Sequence, residues 1–412
     1  MGARRFLAVI LLAACAHDPA PSDADPTTDL ELFSWWTAPG EAEALDVLVS
    51  AHHAEFPDVT LSNIVVTNVG RAPADLLHQR LLGDADNPPS PPDLMQYNVE
   101  SVYDDFGRFG VTFEPLDELF AQEGWTDKFN PEILSKCVVD GHIVMMPVGV
   151  HRQPSFLFAK QVLADTGASV PTDWHSFKAA CDTITAAGKT CVAVTQENWV
   201  QNILFQGVAI MTMGPRKYYE YFSGQGDRED PGIAEAVANY DFVLDHYVGG
   251  RGQMRAQGWD EAAKDLFRGD AAFDIHGDWA VGLFKALGWN DQDFGVTAMP
   301  GGGALFMYDT DAFMIPTGSG DLAPKLDVLR AFGAASTLSR FAEVKGASPP
   351  RVDADVSSDP LAAGAYSDLL HATYAMPTPA ANPDATMFAG FIAKSIDQAT
   401  LTEAYRQSIY PK

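Results

Sequence analysis

Four tryptophans stand beside polar residues: Trp36 in SWWT, Trp199 in ENWVQN, Trp259 in QGWDEA and Trp279 in HGDWAVG. An indole face stacks on apolar C–H surface, while neighbouring Asp, Asn, Gln, His and Lys supply fixed donors and acceptors. A cleft built this way suits a neutral molecule with apolar ring faces and a rim of hydroxyls, which describes a carbohydrate. Any one of these tryptophans taken singly reads equally well as core. The pair Trp35-Trp36 sharpens the question. Neighbouring side chains on a strand point to opposite faces, so both can line one cleft only if the strand has ended before them.

Other chemistry is absent or unmarked. There is no GxSxG elbow, no phosphate-binding GxxxxGK[ST] loop, no HExxH and no CxxC. His52-His53 are adjacent on an expected helix and do not face one another, so they read as a solvated or half-buried surface pair. An acid pair for glycoside hydrolysis is not singled out by any spacing among 55 acidic residues. The formal charge of -28 argues against nucleic acid, whose phosphates need clustered Lys and Arg.

The elements that must hold these residues alternate along the chain. LELFS reads as a strand and Glu41 to Phe56 as a helix, with Leu45, Leu48, Val49, His52 and Phe56 on one face and Pro57 ending it. VTLSNIVV, ADLLHQRLL and DLMQYN follow as strand, helix and strand, which predicts a parallel sheet covered on both faces. A second unit of the same type begins near residue 150, with FLFAK, TCVAVTQ and AAFDIH as strands and helices at about 199–210, 231–247 and 259–268. GVTAMPGGGALFMYDTDAFMIP is a strand, a glycine-rich break and a strand, a natural crossing back, followed by a helix at 321–341. With 412 residues, 47% of them hydrophobic, each unit can bury its own core. Cys181 and Cys191 flank a helix end and the turn AAGKT; a disulfide and two separate buried thiols are both compatible with that spacing. Cys137 reads as a core residue.

The first residues are not part of the fold. Met1 to Arg5 supply a positive segment, FLAVILL an apolar one, and Ala13-Ala14-Cys15 a small-residue cleavage site. LLAAC resembles a bacterial lipobox, which implies lipidation at Cys15 and an exported protein anchored at the periplasmic or cell-surface face. The polar, Pro-rich stretch after it suits a tether.

FSWWTAPGEAEAL, PPDLMQYN, PVGVHR, ENWVQN, GDAAFDIHGDWAVG, DAFMIP and VKGASPPR occur in that order. Together they resemble the extracellular solute-binding proteins (family 1) of bacterial ABC sugar importers, above all the glucose-type monosaccharide binders, from about residue 30 to 400. The resemblance implies an α/β, two-lobed periplasmic-binding-protein fold of type II, with a ligand cleft between lobes joined by a multi-segment hinge. The expected division is a signal peptide at 1–15, a tether at 16–28, one lobe from 29–150 plus 300–348, and a second from 151–299 plus 349–412. Carried over by motif, the expected sugar ligands are Trp35, Trp36, Glu41, Gln96, His151, Arg152, Asn198, Trp199, Trp259, Trp279, Asp311 and Lys345. Two family histidines are replaced here, one by Asn98 in Gln96-Tyr97-Asn98 and one by Thr378, which changes the hydroxyl pattern the cleft can satisfy.

The expected function is that of a monomeric, non-enzymatic subunit that captures a neutral sugar, glucose or a related monosaccharide, and passes it to transmembrane permease subunits. No metal, organic cofactor or nucleic-acid partner is implied, and the lipid anchor is the sole membrane contact. An exported carbohydrate-active enzyme and a sugar-sensing lipoprotein are the alternatives.

Overall fold

Among the described residues twelve short strands are interspersed with helices, and their ranges fix where the chain turns. They are β1 (Thr28–Phe33), β2 (Val59–Asn63), β3 (Leu94–Asn98), β4 (Val138–Val139), β5 (His142–Ile143), β6 (Met146–Arg152), β7 (Ser155–Ala159), β8 (Thr190–Ala193), β9 (Ala271–His276), β10 (Phe294–Thr297), β11 (Leu305–Met314) and β12 (Tyr374–Pro377). The computed structural model describes residues 28–65, 72–84, 86–379, 383 and 385–411. The expected leader with Cys15, and the tether through residue 27, lie outside the described residues.

The strands form two main sheets and a small β4-β5 hairpin. In the first sheet the order is β12-β11-β3-β1-β2, with β6 also paired to β11. In the second it is β10-β7-β9-β8. The pairs β1-β2, β1-β3 and β8-β9 are parallel, as the helix-separated pattern predicts. Both sheets are nevertheless mixed. β11 lies antiparallel to β3 and β6, and β7 antiparallel to β9 and β10. The reason is connectivity: β7 follows β6 of the first sheet, and β11 follows β10 of the second. Neither is delivered by a covering helix, which is what makes neighbouring strands parallel.

Each sheet carries its own core. Leu32, Phe33, Leu48, Leu94, Phe313, Phe332 and Phe341 pack in the first, and Phe156, Phe177, Phe205, Val237, Phe273 and Phe284 in the second. Each such side chain contributes about 1.5–3 kcal/mol on burial, so both bodies have a substantial interior. β11 serves both. Leu305 and Met307 at its start belong to the second core, joined there by Met376 of β12, while Ala312 to Met314 belong to the first.

Three local features differ from, or decide between, the readings of the sequence. The helix expected at 321–341 is two helices, Ala323–Gly333 and Ala335–Lys345, separated by an extended Ala334. Gly333 sits so close to Trp125 that a Cβ there would meet the indole at 2.5 Å. The second helix runs on to Lys345 and stops at Gly346 in left-handed conformation. His52 is fully buried and stacks on Phe56, where the adjacent-histidine pattern suggested a solvated or half-buried surface pair, and of the two only His53 is exposed. Its place on the apolar face of the helix Glu41–Glu55 decides this, and burial holds its pKa below the ordinary value. Cys181 and Cys191 form a disulfide joining the helix Trp174–Ala186 to β8, and Cys137 is a buried free thiol.

Candidate functional site

β1 ends at Phe33, and the chain leaves the strand through Ser34 before Trp35 and Trp36. Released from strand alternation, both indoles reach the same cavity, a space of about 370 Å³. Trp36 is only 2% exposed and is held by Phe313 and Phe341, with ring centroids at 5.8 and 5.2 Å. Trp35 is braced edge-on by Tyr97 at 5.4 Å. The opposite wall comes from the second sheet and its helices. Trp199 and Trp259 lie in the first turns of the helices Asn198–Met213 and Trp259–Phe267, and Trp279 immediately precedes the helix Ala280–Ala286. They surround His276 of β9, which stacks on Trp259 at 5.3 Å and lies 5.2 Å from both Trp199 and Trp279. Burial there pushes the His276 pKa down to about 3, so the ring is neutral.

A chain of charged groups runs between the aromatic walls. Lys345 Nζ donates to Glu41 Oε1 at 3.1 Å and stands 5.4 Å from the Trp36 ring and 6.0 Å from the Trp279 ring. Burial raises the Glu41 pKa against the pull of Lys345, and Glu41 Oε2 has no partner. His151 Nδ1 is 2.5 Å from Asp278 Oδ1, and Nε2 is 3.2 Å from Asp311 Oδ2 but off line for a hydrogen bond. Burial and Lys345 press the His151 pKa down, yet Asp278 and Asp311 outweigh them and raise it to about 9. Asp311 Oδ1 also accepts from Gln96 Nε2 at 3.0 Å and Asn98 Nδ2 at 3.3 Å, while Asn98 Nδ2 reaches Asp309 Oδ2 at 3.1 Å. The Asp309 carboxyl touches that of Glu100; burial and Glu100 together raise its pKa well above the carboxylate range. Glu100 Oε1 is buried with no conventional donor, as expected where two carboxyls share one proton.

Ten of the residues expected from the sequence line this cavity: Trp35, Trp36, Glu41, Asn98, His151, Trp199, Trp259, Trp279, Asp311 and Lys345. Four do not. Gln96 is fully buried behind Asp311, bonded through Oε1 to Ser34 Oγ at 2.8 Å. Arg152 follows His151 on a strand and so points to the other face; its guanidinium lies over Phe306 and pairs with Asp368. Asn198 is absent from the lining, its Oδ1 buried without a partner. Thr378 donates through N and Oγ1 to Tyr308 O, extending the β11-β12 ladder. Tyr97, Gln153, Glu197 and Asp309 line the cavity and were missed. Only Asp309 carried a usable signal, since it stands two residues before Asp311 on one strand and so shares its face.

Among the described residues no group of three or more His, Cys, Asp or Glu is placed to hold a metal ion, and no helix is long and apolar enough to cross a membrane.

A family model described as bacterial extracellular solute-binding protein matches residues 64–364. The chain belongs to this family. It is 27% identical to an uncharacterized ABC transporter extracellular-binding protein of Pyrococcus horikoshii over 346 residues, 81% of this chain and 74% of that one. It is also 27% identical to a "probable sugar-binding periplasmic protein" of Brucella suis, covering 89% of this chain and 86% of the relative. Among solved structures it is similar to the bacterial solute receptor AcbH, described as preferring β-D-galactopyranose, with a TM-score of 0.75 at 16% identity over 93% of this chain and 97% of that one. The solute-binding protein therefore has the type II periplasmic fold.

Proposed function

We propose that this solute-binding protein is the substrate-capturing component of an ABC importer for a monosaccharide, glucose or a close relative of it. One observation carries the reading: five indoles carried by two separately cored bodies converge on one cavity, interleaved with buried polar and charged side chains. Stacking surface and fixed polar groups are the two requirements of a sugar ring. A volume of about 370 Å³ lies at the small end of ordinary ligand pockets, which favours a single ring. The sugar-binding description of the Brucella relative and the galactopyranose preference of AcbH support the same class.

In this reading the lobes, residues 29–150 with 300–348 and 151–299 with 349–412, close on the sugar, and the closed form is what the permease subunits recognise. The protein is exported, held at the membrane through Cys15, monomeric, and performs no chemistry on its cargo. Isothermal titration of the purified protein with hexoses and short oligosaccharides tests it. One-to-one saturable binding of a monosaccharide, lost in Trp279→Ala and in Asp311→Asn, is the expected result. Hydrolysis of a glycoside, or failure of every sugar to bind, refutes it.

A further inference from the structure

The cavity holds more negative charge than its own cations balance. Its lining contains four carboxyls, Glu41, Glu197, Asp309 and Asp311, against two cations, Lys345 and His151. Two more carboxyls contact this group from behind, Asp278 on His151 and Glu100 on Asp309. Lys345 is engaged by Glu41, and the His151 ring stands between Asp278 and Asp311. Even with one proton shared by Glu100 and Asp309, six carboxyls minus that proton, set against two cations, leave an excess of three negative charges. Arg152 offers no relief, because its guanidinium pairs with Asp368 away from the cavity. Closing such a cavity over a neutral molecule would desolvate uncompensated charge, which is costly.

The excess is concentrated at one end. There the Asn98 amide nitrogen is divided between Asp309 Oδ2 and Asp311 Oδ1 at 3.1 and 3.3 Å. It is a neutral donor set between carboxyls, joined only by the equally neutral Gln96 amide, which donates to Asp311 Oδ1 at 3.0 Å. Glu100 Oε1 beside it has no donor other than the shared proton, and Glu41 Oε2 along the same cavity has none. This end therefore has more acceptors than donors, and the amides of Asn98 and Gln96 and the backbone N–H of Thr310 are all neutral. A primary ammonium supplies positive charge and three donors at once, whereas a quaternary ammonium supplies charge without donors.

We propose that the cavity selects a monosaccharide bearing a protonated primary amine, an aminohexose, with the amine seated against Asn98, Asp309 and Asp311 and the ring between the tryptophans. This deepens the sugar reading of the same site and rests on it. The amine replaces the missing positive charge at the acidic end, and the ring hydroxyls remain for Lys345, Glu41 and His151.

The test is titration of the full protein at pH 6, where a sugar amine is charged, with glucosamine, N-acetylglucosamine, glucose and choline. Glucosamine should bind at least tenfold more tightly than the other three. Asp309→Asn combined with Glu100→Gln, which keeps the shape and removes the negative charge of the pair, should narrow the glucosamine-to-glucose ratio by at least tenfold. Equal or tighter binding of glucose or N-acetylglucosamine overturns the proposal while leaving the sugar reading intact. Choline matching glucosamine overturns it in favour of an aromatic cage for any cation. If none of the sugars binds, the sugar reading itself falls. The wild-type comparison decides between these outcomes even if a variant does not fold.

Discussion

Gly282 sits inside the helix Ala280–Ala286, where a Cβ would lie 2.7 Å from Lys345 O and 2.8 Å from Val344 O. Those carbonyls end the helix Ala335–Lys345, which packs on the first core, while Gly282 is flanked by Val281 and Leu283 of the second. The contact is thus made between the two bodies. Gly40, at φ +84, closes the same junction, with a Cβ there 2.3 Å from Gly282 C. Gly282→Ala requires the two backbones to separate by about 0.7 Å to reach ordinary contact, the difference between 3.4 and 2.7 Å. Overpacking of this kind costs about 1–3 kcal/mol, all of it charged to the arrangement in which the lobes meet. That corresponds to roughly 5- to 150-fold weaker binding. When the lobes separate the clash disappears, and replacing glycine by alanine in a helix interior then contributes up to about 1 kcal/mol of stability. The two effects should therefore split: a raised Kd by titration, mostly through faster release, with an unliganded melting temperature unchanged or higher. Small-angle scattering should show the variant more extended at saturating sugar than the parent. Unchanged affinity in a folded Gly282→Ala protein would refute the closure reasoning.

Three further outcomes follow from the same geometry. Lys345→Met should lower sugar affinity by two orders of magnitude or more in titration, because it removes the partner of Glu41 and leaves a buried acid uncompensated. Opening the Cys181–Cys191 bridge, by Cys191→Ala or by reductant, should cost roughly 2–3 kcal/mol in denaturant unfolding, the chain-entropy value for a separation of 10 residues. For His151, the folded pKa of about 9 exceeds the ordinary 6.5, so its stabilisation is complete below pH 6.5 and lost as pH rises through 9. That rise is worth roughly 3 kcal/mol. Asp274, raised to about 8 by burial, adds its own decline with rising pH. The difference between wild type and His151→Gln in unfolding free energy from pH 6 to 9.5 isolates the histidine, and parallel curves for the two would sink the assignment.

Much of the site was legible because its residues recur by type at element ends. An indole beside a polar residue at a helix start does not by itself stand out, since Trp174 next to Asp173 packs on the core; Trp199, Trp259 and Trp279 are marked by recurring as a set within ordered motifs. Glu41 and Lys345 owe their meeting to the first and last residues of two distant helices, which ordered motifs, not local spacing, could reveal. Strand alternation divides the adjacent pair His151-Arg152: His151 faces the cavity and Arg152 does not. Glu197 and Gln153 escaped notice because each is a polar residue in an irregular segment, a setting in which exposure is the ordinary outcome. The parallel sheets implied by strand-helix alternation became mixed ones because pattern within a unit does not record which sheet the preceding strand came from. The break at Gly333 depends on an indole more than two hundred positions earlier, so no window of local sequence contains its cause.

Five of the eight tryptophans in the chain line a single cavity. Intrinsic fluorescence of this molecule is consequently dominated by one place, and the emission is set by whatever occupies it. Excluding water from between those rings shifts their emission towards shorter wavelength, and a change in the distance to the His151 and Lys345 cations alters its yield. The protein thus carries an optical signal of its own occupancy, readable at low concentration without a label.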